Sequence, residues 1–147
     1  MLFRPIAGAL ALALLLAGCA GGDLAAVVPA DKVTGSTSDA ARAATLISDY
    51  RRSRGLGPVV ADAQLNGAAL HQARAVAQAG KLSHGAFSSR MNDFKIPGFA
   101  SENLSAGSSD VTGAIARWKN SPGHNDNLLM PEARRIGLAR ADSPGHG

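Results

Sequence analysis

Two histidines and one glutamate in the second half of the chain could together bind a metal ion. They are His84 in Ser83-His84, Glu102 in Ser101-Glu102-Asn103-Leu104 and His124 in Ser121-Pro122-Gly123-His124. Two imidazoles and a carboxylate are a suitable ligand set for zinc, with one position left open for water. Polar side chains drawn from distant segments often form a site, because a packed core does not need them. The alternative is that Glu102 accepts backbone N–H bonds and that both histidines cap loops.

Apolar periodicity predicts the elements that must position these residues. One helix covers about 38–54, and a second covers 62–79, between a capping Asp62 and a terminating Gly80. A short helical turn near 87–92 follows the loop of His84, and Asp110 can cap a further helix. Ser121 as N-cap with Pro122 at the first helical position predicts the short helix that carries His124. Alternating residues over about 134–141 predict a strand.

Composition and charge narrow the classes of partner. Hydrophobic residues make up 46% of the 147-residue chain, and alanine supplies much of this, so the core depends on close helix packing. The net charge is +4, with small arginine clusters at 51–54 and 134–135. Neither cluster is interleaved with aromatic residues, which argues against nucleic-acid binding. Both clusters are therefore expected on a solvated surface that faces anionic envelope polymers.

The N-terminus predicts export and a membrane anchor. The apolar run 6–16 follows Arg4 and is shorter than the roughly 20 residues that span a bilayer, which is typical of a signal peptide. It ends in Leu16-Ala17-Gly18-Cys19, which resembles a bacterial lipobox. We therefore predict a lipoprotein signal peptide at 1–18, a lipidated Cys19 with a flexible tether at 19–37, and one domain at 38–147. The alternative is an ordinary signal peptide that happens to contain a cysteine.

Two neighbouring features refine the anchor prediction. A single cysteine excludes an intrachain disulfide. The residue after Cys19 is Ala20 and not an aspartate. By resemblance to Gram-negative lipoproteins, this favours a location of the protein at the outer membrane.

The stretches around His84, Glu102 and His124, with Trp118 and Ile136-Gly137-Leu138, resemble the CAP superfamily, or SCP-like extracellular domain, in its short bacterial branch. This resemblance implies a three-layer α/β/α sandwich around a small antiparallel sheet. It matches His84, Glu102 and His124 to three of four family metal ligands, while Ser121 stands at the position of the fourth, a glutamate. Arg90 and Asn103 are expected to fix the loop that presents Glu102. In relatives an aromatic-rich strand follows, and we expect this last strand to be missing after Ala141.

Two functions follow from the resemblance. The first is a binding module of the cell envelope, whose cleft takes a lipid-like or envelope-derived ligand and can hold a divalent metal such as zinc. The alternative is a metal-dependent hydrolase that acts on peptide or cell-wall material. We favour the binding module, because Glu102 as a ligand could not also act as general base, and Ser121 cannot replace a carboxylate. A serine hydrolase is disfavoured because no Gly-x-Ser-x-Gly motif is present.

Overall fold

A computed structural model describes residues 27–108 and 110–144 of the chain. The elements run in the order 3-10 helix (Ala30–Lys32), β1 (Thr34–Ser36), α1 (Ala40–Arg52), β2 (Val60–Ala61), α2 (Ala63–Ala79), α3 (Phe87–Asp93), α4 (Val111–Lys119), α5 (Pro122–Leu128), β3 (Arg135–Ile136) and β4 (Arg140–Asp142). In these residues, no helix is both long and apolar enough to cross a membrane. The predicted signal peptide and Cys19 lie outside the described residues.

Local capping signals determine where the longer helices begin and end. The Asp62 carboxylate accepts a hydrogen bond from the Leu65 N–H at 2.9 Å and starts α2. Gly80 ends α2 in the left-handed conformation, with φ of 61°, which glycine adopts without a steric cost. Asp110 accepts from the Gly113 N–H at 2.8 Å and starts α4. Both caps and the glycine terminus are confirmed as predicted.

The strands form two pairs instead of one continuous sheet. β1 pairs with β4 in antiparallel orientation, and β2 pairs with β3 in parallel orientation. The strand predicted over 134–141 is therefore wrong in its extent, because it divides into β3 and β4. At the division, the Leu138 N–H donates to the Asn66 side chain of α2 at 3.0 Å. A Cβ on Gly137 would lie 2.1 Å from the backbone of Leu65, so only glycine fits where the chain crosses α2.

The pairing of β1 also changes the predicted start of the folded unit. Thr34–Ser36 was predicted within the tether at 19–37, yet it pairs residue by residue with Arg140–Asp142. β1, β3 and β4 contact α2, whereas β2 contacts α1. The strands thus join α2 to the helices α1, α4 and α5, which pack with one another. This arrangement confirms a mixed α/β fold with a small antiparallel pair.

The core lies between α1, α4 and α5. Its buried members are small or medium apolar residues: Ala43, Ile47, Val59, Val111, Ile115 and Leu128. Trp118 is half-buried against this cluster, and its Nε1–H donates to the Leu104 carbonyl at 3.3 Å. The tryptophan thereby holds the loop that follows Glu102 against α4.

Arg51 lies inside this core, although the arginine cluster at 51–54 was expected on the surface. Its exposed fraction is 0%, and burial, followed by the nearby Arg134, lowers the pKa of its guanidinium. The guanidinium donates to four carbonyl oxygens: Gly57 at 2.8 Å, Leu128 at 2.8 Å, Met130 at 3.0 Å and Ala133 at 3.2 Å. Two of these carbonyls lie at or just beyond the end of α5, where helix carbonyls lack intrahelical partners. Arg51 therefore ties the end of α1 to the segment that enters β3.

Candidate functional site

Glu102 receives one charged or polar partner on each carboxylate oxygen. His84 Nδ1 donates to Glu102 Oε1 at 2.9 Å, and Arg90 donates to Glu102 Oε2 at 2.5 Å. The Arg90 side chain is 5% exposed and the Glu102 side chain 14%, whereas the His84 side chain is 56% exposed. The Glu102 carboxylate is thus held between a buried guanidinium and an imidazole at the surface. Arg90 contacts Glu102 directly, as expected for a residue that fixes this loop.

Gln72 of α2 is a member of this cluster that the sequence analysis did not select. Its Oε1 accepts a hydrogen bond from Arg90 at 2.5 Å, and its amide donates to the Ser83 carbonyl. Arg90 also donates to the His84 carbonyl at 3.2 Å. Gln72 is buried, although it lies on the apolar face of α2 between Ala68, Ala69 and Ala73. A polar residue inside an apolar stripe is the signal that could have identified it.

His124 is held by a second group of hydrogen bonds. Its Nδ1 lies 3.0 Å from the Ser121 hydroxyl, so Ser121 orients the imidazole and its side chain accepts no capping hydrogen bond from the backbone N–H groups of α5. The Asn103 amide donates to the His124 carbonyl at 2.9 Å. Asn127 donates to Asn103 Oδ1 at 2.9 Å and thereby joins the loop after Glu102 to α5. The structure therefore links His124 to the Glu102 loop through Asn103 and Asn127.

These contacts do not assemble the predicted zinc ligands into one group. Within the residues that the structure describes, no three His, Cys, Asp or Glu side chains could hold a metal ion. His84 Nδ1 and both oxygens of Glu102 are used in hydrogen bonds, and His124 Nδ1 is close to Ser121. These hydrogen bonds involve Nδ1 of each imidazole, so Nε2 is the atom through which either histidine would bind a metal. Zinc binding by His84, Glu102 and His124 stays a prediction.

A cavity of about 900 Å³ opens beside the Glu102 loop. One wall is the apolar face of α2, another is α4 with Trp118, and the segment 133–142 closes a third side. Gln72, Glu102 and Asn103 are polar residues of its lining. Apolar residues, most often alanine, make up more than half of the lining, and charged residues such as Glu132, Arg134 and Arg135 also border the space. The cavity can therefore accept an apolar group beside polar and charged atoms.

The comparisons with known proteins were consistent with this fold. The sequence pattern of the CAP family, described as the Cysteine-rich secretory protein family, matches residues 44–147. The chain belongs to the CAP family. None of the curated proteins matches the chain.

Three solved structures share the CAP fold with this chain. An extracellular protein containing a SCP domain from Bacillus anthracis is 24% identical, with a TM-score of 0.62, over 68% of this chain and 38% of its own. An outer surface protein from Borrelia burgdorferi is 21% identical, with a TM-score of 0.60, over 69% of this chain and 80% of its own. A cysteine-rich secretory protein from Staphylococcus aureus is 16% identical, with a TM-score of 0.55, over 70% of this chain and 37% of its own. This chain thus covers less than half the length of two of these proteins.

Proposed function

We propose that this CAP domain is a binding module of the cell envelope whose cavity takes an apolar, lipid-like ligand. The observation that carries the proposal is the cavity of about 900 Å³ between α2 and α4. Its volume lies within the range of about 300–1,000 Å³ that is usual for small-molecule sites. Transfer of apolar ligand surface from water into such a space is favourable at roughly 25 cal/mol per Å².

The composition of the walls supports a ligand with an elongated apolar part. Apart from Gln72, the lining residues of α2 are small or aliphatic: Leu65, Ala68, Ala69, Ala73, Val76 and Ala77. Small side chains on one helical face leave a long groove, because each alanine removes volume that a leucine would fill. Gln72, Glu102 and Asn103 border the same space. Gln72 is held by a hydrogen bond from Arg90 and Asn103 by one from Asn127, so these polar side chains can orient the polar end of a ligand.

Trp118 provides a direct test, because it lines the cavity and is the only tryptophan in the chain. Titration of the protein with a fatty acid brominated on its acyl chain should quench the Trp118 fluorescence in a saturable manner. Ala73→Phe, which fills the groove, should weaken the quenching. Ala79→Phe is the matched control, since Ala79 is an exposed residue of the same helix outside the cavity.

Two results of the titration would contradict the proposed ligand site. Quenching that is absent, or that Ala73→Phe and Ala79→Phe reduce to the same extent, would exclude this cavity as the ligand site. Circular dichroism of each variant shows whether the helices are retained, so that a folding defect is not taken for lost binding.

The proposal includes an envelope location. The similar proteins from Bacillus anthracis and Borrelia burgdorferi are described as extracellular and as an outer surface protein, which supports export of this chain. The lipobox ending in Cys19 supports lipid anchoring, and Ala20 supports the outer membrane. Mass spectrometry should detect acyl chains on the mature wild type, and Cys19→Ser should accumulate as unacylated precursor. Normal processing with no acyl mass on the wild type would refute the anchor.

A further inference from the structure

Gln72 is a buried polar side chain on the apolar face of α2, where it lines the cavity. Its exposed fraction is 5%, whereas the other cavity-lining residues of this helix are small or aliphatic. A buried amide destabilises a fold unless hydrogen bonds within the protein replace those to water. Gln72 Oε1 accepts from Arg90 at 2.5 Å, and its side-chain amide donates to the Ser83 carbonyl. Both polar atoms of Gln72 are therefore held, and each bond leads toward the His84–Glu102 pair.

The first bond reaches Glu102 through Arg90. The buried guanidinium donates from one terminal nitrogen to Gln72 and from the other to Glu102 Oε2 at 2.5 Å. With Oε2 bound to Arg90, the second oxygen, Oε1, meets His84. Without Gln72, the guanidinium would lose one of the contacts that fix its plane, and the carboxylate that it holds would lose part of its orientation.

The second bond reaches His84 along the backbone. Ser83, whose carbonyl accepts from Gln72, directly precedes His84. The carbonyl of His84 itself accepts from Arg90 at 3.2 Å. Gly85 follows with a φ of 54°, and a Cβ there would lie 3.7 Å from the Gln72 amide, so the turn packs closely against this side chain. The two peptide groups that flank the His84 side chain are thus held by Gln72 and by its partner Arg90.

This arrangement decides which nitrogen of His84 carries the proton. Nδ1 lies 2.9 Å from Glu102 Oε1. A carboxylate that is paired with a guanidinium accepts hydrogen bonds and donates none, so the proton of this bond belongs to Nδ1. In a neutral imidazole the other nitrogen, Nε2, then has a free lone pair. The His84 side chain is 56% exposed, and Nε2 is the atom through which it would meet a metal ion or a hydrogen-bond donor.

We infer that Gln72 is a positioning residue that holds His84 in the Nδ1-protonated tautomer. Its two hydrogen bonds go to Arg90 and to the Ser83 backbone, so its effect on the imidazole is indirect. Because Gln72 also lines the cavity, it joins the proposed ligand space to an imidazole that is a predicted metal ligand. The inference concerns His84 in the protein alone, so it goes beyond the proposed cavity ligand and does not depend on it.

Long-range proton–nitrogen NMR correlation spectra of the full chain measure this tautomer directly. The spectra are recorded at a pH of about 8.5, where an unperturbed imidazole is neutral, and His84→Gln identifies the His84 signals. The wild type should show the Nδ1–H form of His84. Gln72→Met keeps the length of the side chain but removes both hydrogen bonds. The ratio of the Nδ1–H to the Nε2–H form should then fall about tenfold, the change expected when one hydrogen bond of ordinary strength is lost.

Two controls separate positioning from a general loosening of the fold. Gln78→Met makes the same change on the same helix, outside the cavity lining, and should leave the His84 tautomer unchanged. The His124 imidazole, whose Nδ1 contacts Ser121, is read in the same spectra and should keep its wild-type pattern in Gln72→Met.

A second variant serves if Gln72→Met does not fold. Gln72→Glu keeps an acceptor for Arg90 and removes only the donor to Ser83, so it should lower the same His84 ratio by a smaller factor. A folded Gln72→Glu with the wild-type ratio would then count against the inference.

Three results would overturn the inference. A wild-type His84 in the Nε2–H form would show that Glu102 does not hold the Nδ1 proton. Equal ratios in wild type and folded Gln72→Met, or equal changes in Gln72→Met and Gln78→Met, would show that Gln72 does not position His84. A parallel change of His124 in Gln72→Met would assign the effect to general loosening. These spectra contain no fatty acid, so the cavity proposal stands or fails separately on the quenching of Trp118.

Discussion

Replacement of Arg51 by methionine tests whether one buried guanidinium holds the end of α1 to the segment before β3. Methionine approximates the length of the arginine stem but removes every donor. Four carbonyl oxygens lose their partner, at distances of 2.8, 2.8, 3.0 and 3.2 Å in the wild type. Because these carbonyls belong to three separate stretches of the loop region, their loss should loosen the connection from α5 to β3.

The expected magnitude follows from the number and type of these hydrogen bonds. A hydrogen bond to a charged donor contributes about 1.5–3 kcal/mol, and the contributions of one group do not add fully. Removal of the charge also relieves the cost of burying a guanidinium that is 0% exposed, which offsets part of the loss. We therefore expect Arg51→Met to lower the free energy of unfolding by about 4 kcal/mol. At roughly 3–4 °C for each kcal/mol, the melting temperature should fall by about 12–16 °C.

Urea unfolding followed by circular dichroism measures this difference. Arg52→Met is the matched control, because Arg52 is the next residue of α1 and pairs with Asp49 on the surface. The control should change the free energy of unfolding by less than about 0.5 kcal/mol. A loss of under about 1 kcal/mol for Arg51→Met, or equal losses for the two variants, would refute the structural role assigned to the buried guanidinium.

Three further predictions concern the strand crossing, the cap of α2 and the zinc ligands. Gly137→Ala should lower the free energy of unfolding by about 2 kcal/mol or more, because the added Cβ would lie 2.1 Å from the Leu65 backbone. Thermal melting measures this loss. Gly123→Ala is the control, because the Cβ added there would meet no neighbouring segment within 4 Å. Asp62→Ala should cost about 1 kcal/mol at pH 7, since its carboxylate caps α2. The hydrogen bond from the Leu65 N–H lowers the pKa of Asp62, so the stabilisation by the ionised carboxylate should be complete above pH of about 4 and should disappear as the pH falls through the lowered pKa. Equal urea midpoints for the wild type and Asp62→Ala at pH 7 would contradict this prediction. Calorimetric titration with zinc should give a binding heat for the wild type that His124→Ala removes, because His124 is one of the three predicted ligands. Equal heats for the two proteins would refute the three-ligand centre.

Features of the fold that depend on near neighbours in the chain could be predicted from the sequence. The caps at Asp62 and Asp110 and the terminus at Gly80 each depend on an interaction within a few residues. The chemistry of Glu102 was only partly predictable. Its partner Arg90 was expected to support the loop. The two separate hydrogen bonds, from His84 to one oxygen and from Arg90 to the other, depend on how α3 packs.

The sequence by itself determined the CAP family, the order of the α-helices from α1 to α5, and the residues around which a site should form. Tertiary structure alone decided the burial of Arg51, the hydrogen bond between Gln72 and Arg90, and the pairing of Thr34–Ser36 with Arg140–Asp142. The physical reason is distance along the chain. A capping carboxylate meets its N–H within one helical turn, whereas a buried guanidinium or a strand pair needs partners that only the packed fold brings together. For the same reason the cavity, which several segments enclose, could not be predicted from any one of them.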